Sequence, residues 1–269
     1  MLQQSVVVGI VFAMGAFLNS PSLAVFGLLG SAMGAMTAAL AGFDQHDNRN
    51  GLFGFNGALV GFGLGYFYGP QWLLLIFVIL GGVISALIMQ LMQKKGIRPY
   101  TFPFVITNWS IMALFTATGW FEIVLWPSTQ ADGLQITHGI SRGFGQVLFQ
   151  ENLITGFLLI AAVLFRSWVE GIFAIAASVL GVFIALMVGF SIDAINLGLF
   201  GYNGVLCAIA LAGRTRTDIF SALIAVVLSV FFVWSAVLVG VPALTAPFVF
   251  STWIVLWSRA VFDRKLSQN

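Results

Sequence analysis

The sequence has little of the charge that a soluble domain carries on its surface. Charged residues make up 7% of its 269 residues and hydrophobic residues 60%, whereas about 25% of the residues of a soluble domain are charged. No polar stretch is long enough to fold as a separate soluble domain. The composition therefore predicts an integral protein of the lipid bilayer.

Cysteine and histidine are almost absent, which limits metal and redox chemistry. The single Cys207 excludes an internal disulfide and a thiolate metal cluster. The two histidines, His46 and His138, are far apart and lie in polar connectors. We therefore expect no metal, no cofactor and no catalysis.

Fixed charge inside the apolar runs is equally scarce. Most of the nine acidic residues can be placed at the ends of runs, whereas proton relays and ion-coupled pumps usually carry ionisable residues in mid-span. The basic residues cluster at run ends as well, which indicates membrane topology and headgroup contact, not nucleic-acid binding. A small neutral solute therefore fits this chain better than an ion.

Long apolar runs fill most of the chain, and several reach the roughly 20 residues that a membrane-spanning helix needs. They are apolar at both odd and even positions, which favours helices over the alternating strands of a β-barrel. We expect an all-α polytopic membrane protein with about ten spans, some of them half-helices or re-entrant segments. The clearest runs are residues 23–42, 72–91, 106–126, 172–190 and 219–238.

An internal duplication is visible in the sequence. The heptapeptide GLFGFNG at 51–57 returns as GLFGYNG at 198–204, 147 residues later, and the preceding segments match in the same register. With a small slip in register, RPYTFPF at 98–104 is followed by VPALTAPF at 241–248. We assign residues 1–125 to a first repeat and 126–269 to a second.

Duplicated membrane proteins commonly form a substrate path at the interface of their repeats. Phe55 and Tyr202 occupy matching positions, each followed one helical turn later by a leucine on the same face. Facing aromatic rings would suit a flat molecule, and hydroxyl or carbonyl oxygens would accept its N–H groups. The glycines and prolines of the repeated motifs could line such a path, or the glycines could simply permit close helix packing. These are Gly51, Gly54, Gly57, Gly198, Gly201, Gly204, Pro99, Pro103, Pro242 and Pro247.

Taken together, these motifs resemble the urea transporter family. The paired heptapeptides, the VPALTAPF segment near the family's LPxxTxPF signature and RGFGQVLFQENLITG at 142–156 cover nearly the whole chain. Val241 replaces the usual leucine, and the first copy of the signature is looser. The resemblance implies a homotrimer in which each protomer passes urea through its own pore. It also implies two inverted halves, each with about five spanning helices and a re-entrant half-helix.

The resemblance also implies which residues line the pore. Phe149, Phe55 and Tyr202 would be aromatic walls, Thr101 and Thr245 would narrow the centre, and Gln146 would bind urea at one mouth. The full set is Gln146, Val147, Phe149, Tyr202, Leu206 and Thr245 in the second half, and Phe55, Leu59, Thr101 and Leu2 in the first.

Leu2 is the least satisfactory member of this set, because it is the register partner of Phe149 and is aliphatic. The partners of Gln146 and Val147 would precede Met1. Either the natural protein begins further upstream, which we expect, or one mouth has degenerated. Passage of another short amide or of ammonia, or a role as a membrane scaffold subunit, are the alternative functions. A bacterial inner membrane is the expected location.

Overall fold

In the computed structural model, residues 5–124 and 133–266 are described, and their regular secondary structure is helical. Contacts divide the chain into two compact units. The first unit runs as far as residue 129 and includes Leu148–Gln150; the second unit contains the remaining residues. The aromatic residue Phe149 therefore belongs to the first unit, although it follows a helix of the second.

The described part of the first unit contains six α-helices, and the packing of α2 against α4 and α5 forms its centre. Serines at positions 5 and 20 cap the first two helices by accepting hydrogen bonds from backbone N–H groups, as N-cap residues commonly do. The helices are α1 Val6–Asn19, α2 Pro21–Leu40, α3 Gln45–Arg49, α4 Leu52–Tyr68, α5 Leu74–Lys94 and α6 Phe102–Thr118.

The described part of the second unit contains seven α-helices and a 3₁₀ turn at Gln146–Leu148. Helix α11 packs on α9, α12 and α13 in its interior. The helices are α7 Ile136–Gly145, α8 Leu153–Arg166, α9 Trp168–Val188, α10 Ile192–Asn196, α11 Tyr202–Leu211, α12 Arg216–Val239 and α13 Ala246–Leu266.

Four of these helices are long and apolar enough to cross a membrane: α2, α5, α9 and α12. Helices α7 and α8 form a fifth candidate span that is bent by 78° at its break. The break of this pair, between Leu148 and Leu153, lies in the 142–156 segment, and the bend is consistent with the predicted re-entrant half-helix. Four shorter apolar helices, α1, α4, α6 and α11, contain 10 to 17 residues each.

The predicted span over 106–126 is shifted and shortened in the structure. Helix α6 begins at Phe102, with proline in its first turn, and ends at Thr118. Gly119 follows in a left-handed conformation with φ of 69°, a common way to stop a helix. The apolar run continues past this glycine, so hydropathy does not locate the helix end.

Glycines set the distance between α2 and α4. A Cβ on Gly57 would overlap the carbonyl oxygen of Gly30, and a Cβ on Gly61 would overlap that of Phe26. The two helices therefore touch through their backbones, as small residues permit in membrane proteins. Between the two readings of the motif glycines, close packing accounts for Gly57.

One aromatic pair recurs in both units. Phe43 and Phe53 lie with ring centroids 5.5 Å apart in the first unit, and Phe190 and Phe200 lie 4.2 Å apart in the second. Each pair joins the connector after a long helix to the repeated heptapeptide, and both pairs are separated by the 147-residue offset. The pair packs on a core cluster in each unit.

Candidate functional site

The asparagine of the first heptapeptide holds the turn before α6. Asn56 donates from Nδ2 to the carbonyl oxygen of Tyr100 at 3.1 Å, and its Oδ1 accepts from the backbone N–H of Phe104 at 3.1 Å. Tyr100 is left-handed, with φ of 49°, which is uncommon for a residue with a side chain. We call this set, Asn56 with Tyr100 and Phe104, the first asparagine clamp.

The second heptapeptide does the same before α13. Asn203 donates to the carbonyl oxygen of Leu244 at 3.2 Å and accepts from the N–H of Phe248 at 3.1 Å. Leu244 is also left-handed, with φ of 48°. Asn203 with Leu244 and Phe248 is the second asparagine clamp, and its backbone conformation matches the first.

The clamps solve a capping problem at the start of a buried helix. The first N–H groups of a helix have no partner within it, and a proline in the first turn removes one of them. Asn56 satisfies the N–H that follows Pro103, and Asn203 satisfies the one that follows Pro247. Each clamp asparagine therefore caps the first turn of a neighbouring helix with its side chain.

Thr101 and Thr245 lie inside the clamped turns. Each directly follows the left-handed residue, and both are buried, with 0% and 2% of their surface exposed. The clamp holds the backbone on both sides of the threonine. The Cα of each threonine, and hence the point from which its hydroxyl extends, is therefore fixed. The structure thus places the two predicted threonines equivalently within their own units.

The predicted aromatic and leucine positions lie on α4 and α11. Leu59 and Leu206 are fully buried, and Phe55 is partly buried. Tyr202 is buried, and its hydroxyl donates a hydrogen bond to the carbonyl oxygen of Leu244. Tyr202 therefore also supports the second clamp, a role that its ring alone did not suggest.

Phe149 is the centre of an aromatic cluster in the first unit. Its ring centroid lies 5.4 Å from that of Tyr66, 6.0 Å from that of Phe67 and 6.1 Å from that of Phe104. Phe149 itself is left-handed, with φ of 56°, where the chain turns between α7 and α8. The structure brings it close to Phe104 of the first clamp.

Gln146 and Val147 lie in the 3₁₀ turn at the end of α7. Both are buried, with 6% and 1% of their surface exposed. The Nε2 atom of Gln146 has no hydrogen-bond partner among the described residues, so this donor is available to a bound molecule. Leu2, the remaining predicted pore residue, lies outside the described residues.

The polar side chains that are buried as whole residues in the described ranges belong to asparagine, serine, threonine and glutamine. Arg142 is half-buried: its Nε atom is buried without a partner among the described residues, and its Nη1 donates to the carbonyl oxygen of Asn196 at 3.2 Å. Across those ranges no group of three or more His, Cys, Asp or Glu side chains could hold a metal ion. The neutral side chains can exchange hydrogen bonds with an uncharged solute.

Asn56 and Asn203 are the functional residues that the sequence interpretation missed. The same amide stands at the sixth position of both heptapeptides, where every other residue is glycine, leucine or aromatic. That repeated amide is a usable signal. The bonding partners lie more than 40 residues away, so the heptapeptides alone do not reveal them.

Comparison with known proteins gives one consistent result. A family model described as Urea transporter matches residues 1–260. The chain is 26% identical over 281 residues to urea transporter 1 of Ovis aries, covering 92% of this chain and 71% of that protein. It is 26% identical over 226 residues to urea transporter 1 of Mus musculus, covering 76% of this chain and 58% of that protein.

The same mouse alignment shows that this chain spans somewhat more than half the length of that relative. The match to the family model is nearly complete along this chain, and it coincides with long apolar helices. The chain is an integral membrane protein and belongs to the urea transporter family.

Proposed function

We propose that this protein lets urea diffuse down its concentration gradient through a narrow path with aromatic walls and oxygen acceptors. The observation that carries the proposal is the match of the urea transporter family to residues 1–260. The neutral buried polar side chains agree with it, because urea is flat, uncharged and rich in hydrogen-bond donors and acceptors. The proposed role is transport, not catalysis.

The proposed contacts are those predicted from the sequence. In the first unit the Phe149 cluster and Phe55 would stack on the flat solute, with Leu59 and Thr101 alongside. In the second unit Gln146 would donate from its unpartnered Nε2 to the urea oxygen. Val147, Tyr202, Leu206 and Thr245 also belong to the set, as does Leu2, which lies outside the described residues.

The two clamps give this proposal its geometric basis. A left-handed residue held at its carbonyl by an asparagine leaves the following threonine with little freedom. A rigid acceptor loses less entropy on binding than a mobile one. The hydroxyl oxygens of Thr101 and Thr245 are therefore suited to accept the hydrogen bonds that a small amide otherwise gives to water.

We also propose that the chain works as a homotrimer in a bacterial inner membrane. We propose further that one ancestral segment was duplicated and that residues 1–125 and 126–269 are its two copies. The repeated clamps and the repeated aromatic pair support the duplication. The resemblance to the urea transporter family supports the trimer, and the sequence, 60% hydrophobic and 7% charged, supports a location in a membrane. Cross-linking in native membranes tests the trimer.

Stopped-flow light scattering on proteoliposomes tests the function. Vesicles that contain the protein should re-equilibrate in an inward urea gradient much faster than empty vesicles, and the flux should not require a proton gradient. Thr245→Val should lower the urea flux because valine keeps the shape of threonine but removes its hydroxyl. Permeability equal to that of empty vesicles would contradict the proposal.

A further inference from the structure

Asn108 is a buried polar side chain that neither clamp uses. It lies on α6, one helical turn after Phe104, and none of its surface is exposed. Within the part of the chain that the structure describes, neither Oδ1 nor Nδ2 of its amide has a hydrogen-bond partner. Burying an amide without partners is unfavourable, and native proteins rarely keep such a group without a reason.

The Asn108 amide points over Gly63 of α4. A Cβ on Gly63 would overlap Nδ2 of Asn108, and it would lie 3.3 Å from Cε2 of Phe104 and 3.4 Å from Cζ of Phe149. The amide nitrogen and the edge of the Phe149 ring therefore both lie beside Gly63. The amide can come this close to α4 because residue 63 has no side chain.

Gly63 continues the row of predicted solute contacts on α4. Phe55, Leu59 and Gly63 follow one another at four-residue intervals on α4, which places them along one face. On α6, Asn108 comes seven residues after Thr101, hence about two turns further on the same side. Asn108 of α6 therefore lies next to Gly63, the last position of the α4 row, and near the ring of Phe149.

We propose that Asn108 is a further specificity-determining residue, whose amide binds the small amide solute as it passes the Phe149 ring. The Nδ2 group would donate to the carbonyl oxygen of the solute, and Oδ1 would accept one of its N–H groups. This inference rests on the proposed function. It explains why a buried amide is kept next to an aromatic cluster.

The second unit carries no equivalent amide. Thr252 stands 144 positions after Asn108, and its hydroxyl has a partner, the Sγ atom of Cys207, at 3.8 Å. The solute contact that we infer is therefore a property of the first unit. Thr252 also supplies a matched control position of similar burial.

The test is urea flux as a function of urea concentration for Asn108→Leu, Asn108→Thr and the control Thr252→Val. Leucine is close to asparagine in size but cannot hydrogen-bond, so we expect the half-saturating urea concentration to rise about fivefold to tenfold, as the loss of one or two hydrogen bonds gives. Asn108→Thr should show a smaller rise, and Thr252→Val should match the unmodified protein. The melting temperature of Asn108→Leu should stay the same or increase.

Three outcomes would overturn the inference. One is unchanged half-saturation in both Asn108 variants while the unmodified protein transports urea. Another is a fall in melting temperature with fewer active molecules but unchanged half-saturation, which marks a purely structural role. The third is an unmodified protein that transports no urea, which removes the proposed function as well and is recognised by the failure of every sample, including Thr252→Val.

Discussion

The two units build the same asparagine clamp but surround it with different side chains. In the second unit Tyr202 and Asn203 both donate to the carbonyl oxygen of Leu244, and Thr252 contacts Cys207. In the first unit Phe55 takes the place of the tyrosine, Val60 takes that of Cys207, and Asn108 is left without a partner among the described residues. The asparagine clamp is therefore the same in both units, whereas the polar side chains around it differ.

The differences between matching positions indicate which residues of a repeat serve its fold. A residue that has the same partners in both units, such as the clamp asparagine, serves the fold that both share. A residue whose bonding differs between the units, such as Tyr202 with its partner Leu244 or Asn108 without a partner among the described residues, distinguishes one unit from the other. Matched substitutions at equivalent positions turn this distinction into measurements.

The largest difference in stability is expected between a contact of α5 with α6 in the first unit and a contact of α12 with α13 in the second. In the first unit Phe115 is buried and lies 4.7 Å from Phe77, ring to ring, whereas the residue 144 positions later is Arg259, bound to Asp218 at 3.1 Å on the surface. Phe115→Ala should cost about 4 kcal/mol of unfolding free energy by leaving a cavity. Arg259→Ala should cost about 1 kcal/mol or less, because its ion pair is still reached by solvent, with 33% and 20% of the two side chains exposed, and such pairs contribute little.

Denaturant titration in mixed micelles, followed by tryptophan fluorescence, measures both values. Equal losses for the two variants would show that the ion pair and the aromatic contact are equivalent in strength, and the comparison between the units would fail at this position.

The next comparison concerns the middle of each heptapeptide helix. Gly57→Ala should destabilise the protein by about 3 kcal/mol, because its Cβ would meet the backbone oxygen of Gly30, which cannot move aside cheaply. Gly204→Ala should cost under about 1 kcal/mol: its Cβ would meet a methyl of Val226 at 3.1 Å and the oxygen of Ala177 at 3.5 Å, and alanine favours the helix.

The same titration serves here, with Gly9→Ala as control because nothing lies within 4 Å of a Cβ at that position. A severe loss for Gly204→Ala, or a tolerated Gly57→Ala, would mean that the backbone contact does not limit helix spacing.

Both clamps should weaken when their asparagine is removed, Asn56→Ala somewhat more than Asn203→Ala, because the Tyr202 hydroxyl still donates to the carbonyl oxygen of Leu244 in the second clamp. Asn56→Ala and Asn203→Ala each remove the acceptor of a buried backbone N–H and a donor to a buried carbonyl. Each should lower the unfolding free energy by about 2 to 3 kcal/mol, the cost of buried groups that lose their partners. Thermal unfolding in detergent checks this, and a loss in only one variant would show that the clamps are not equivalent.

The smallest effect is expected for the hydroxyl that only the second unit has. Tyr202→Phe should cost about 1 kcal/mol, because Leu244 still accepts from Asn203 after the hydroxyl is removed. Since both donors share one oxygen, the double variant Tyr202→Phe with Asn203→Ala should depart from additivity. Strict additivity in a double-mutant cycle would indicate that the two bonds are independent.

Much of the helical architecture could be predicted from the sequence. The apolar runs required spanning helices, and the described chain contains four long ones and a bent pair. The ends were harder, as α6 shows: hydropathy continues through Gly119, whereas the helix stops there because the backbone turns left-handed. Glycine conformation is a local property that a hydropathy average does not contain.

The site was predictable in kind but not in its bonding. Thr101 and Thr245 stood out through the repeated proline motifs, and the structure places both in equivalent clamped turns. The clamps themselves join residues 41 to 48 positions apart. Such pairs depend on which helix packs beside which, and one sequence contains no direct record of that choice.

By itself the sequence determined a membrane protein made of helices and two copies of a heptapeptide motif, because composition and repeated letters can be read without knowledge of contacts. Tertiary structure alone decided that Tyr202 donates to Leu244, that Phe149 lies among the rings of the first unit, and that Asn108 lies over Gly63 without a partner among the described residues. The physical reason is that a hydrogen bond requires two groups within about 3 Å. Only the packed helices bring such groups together.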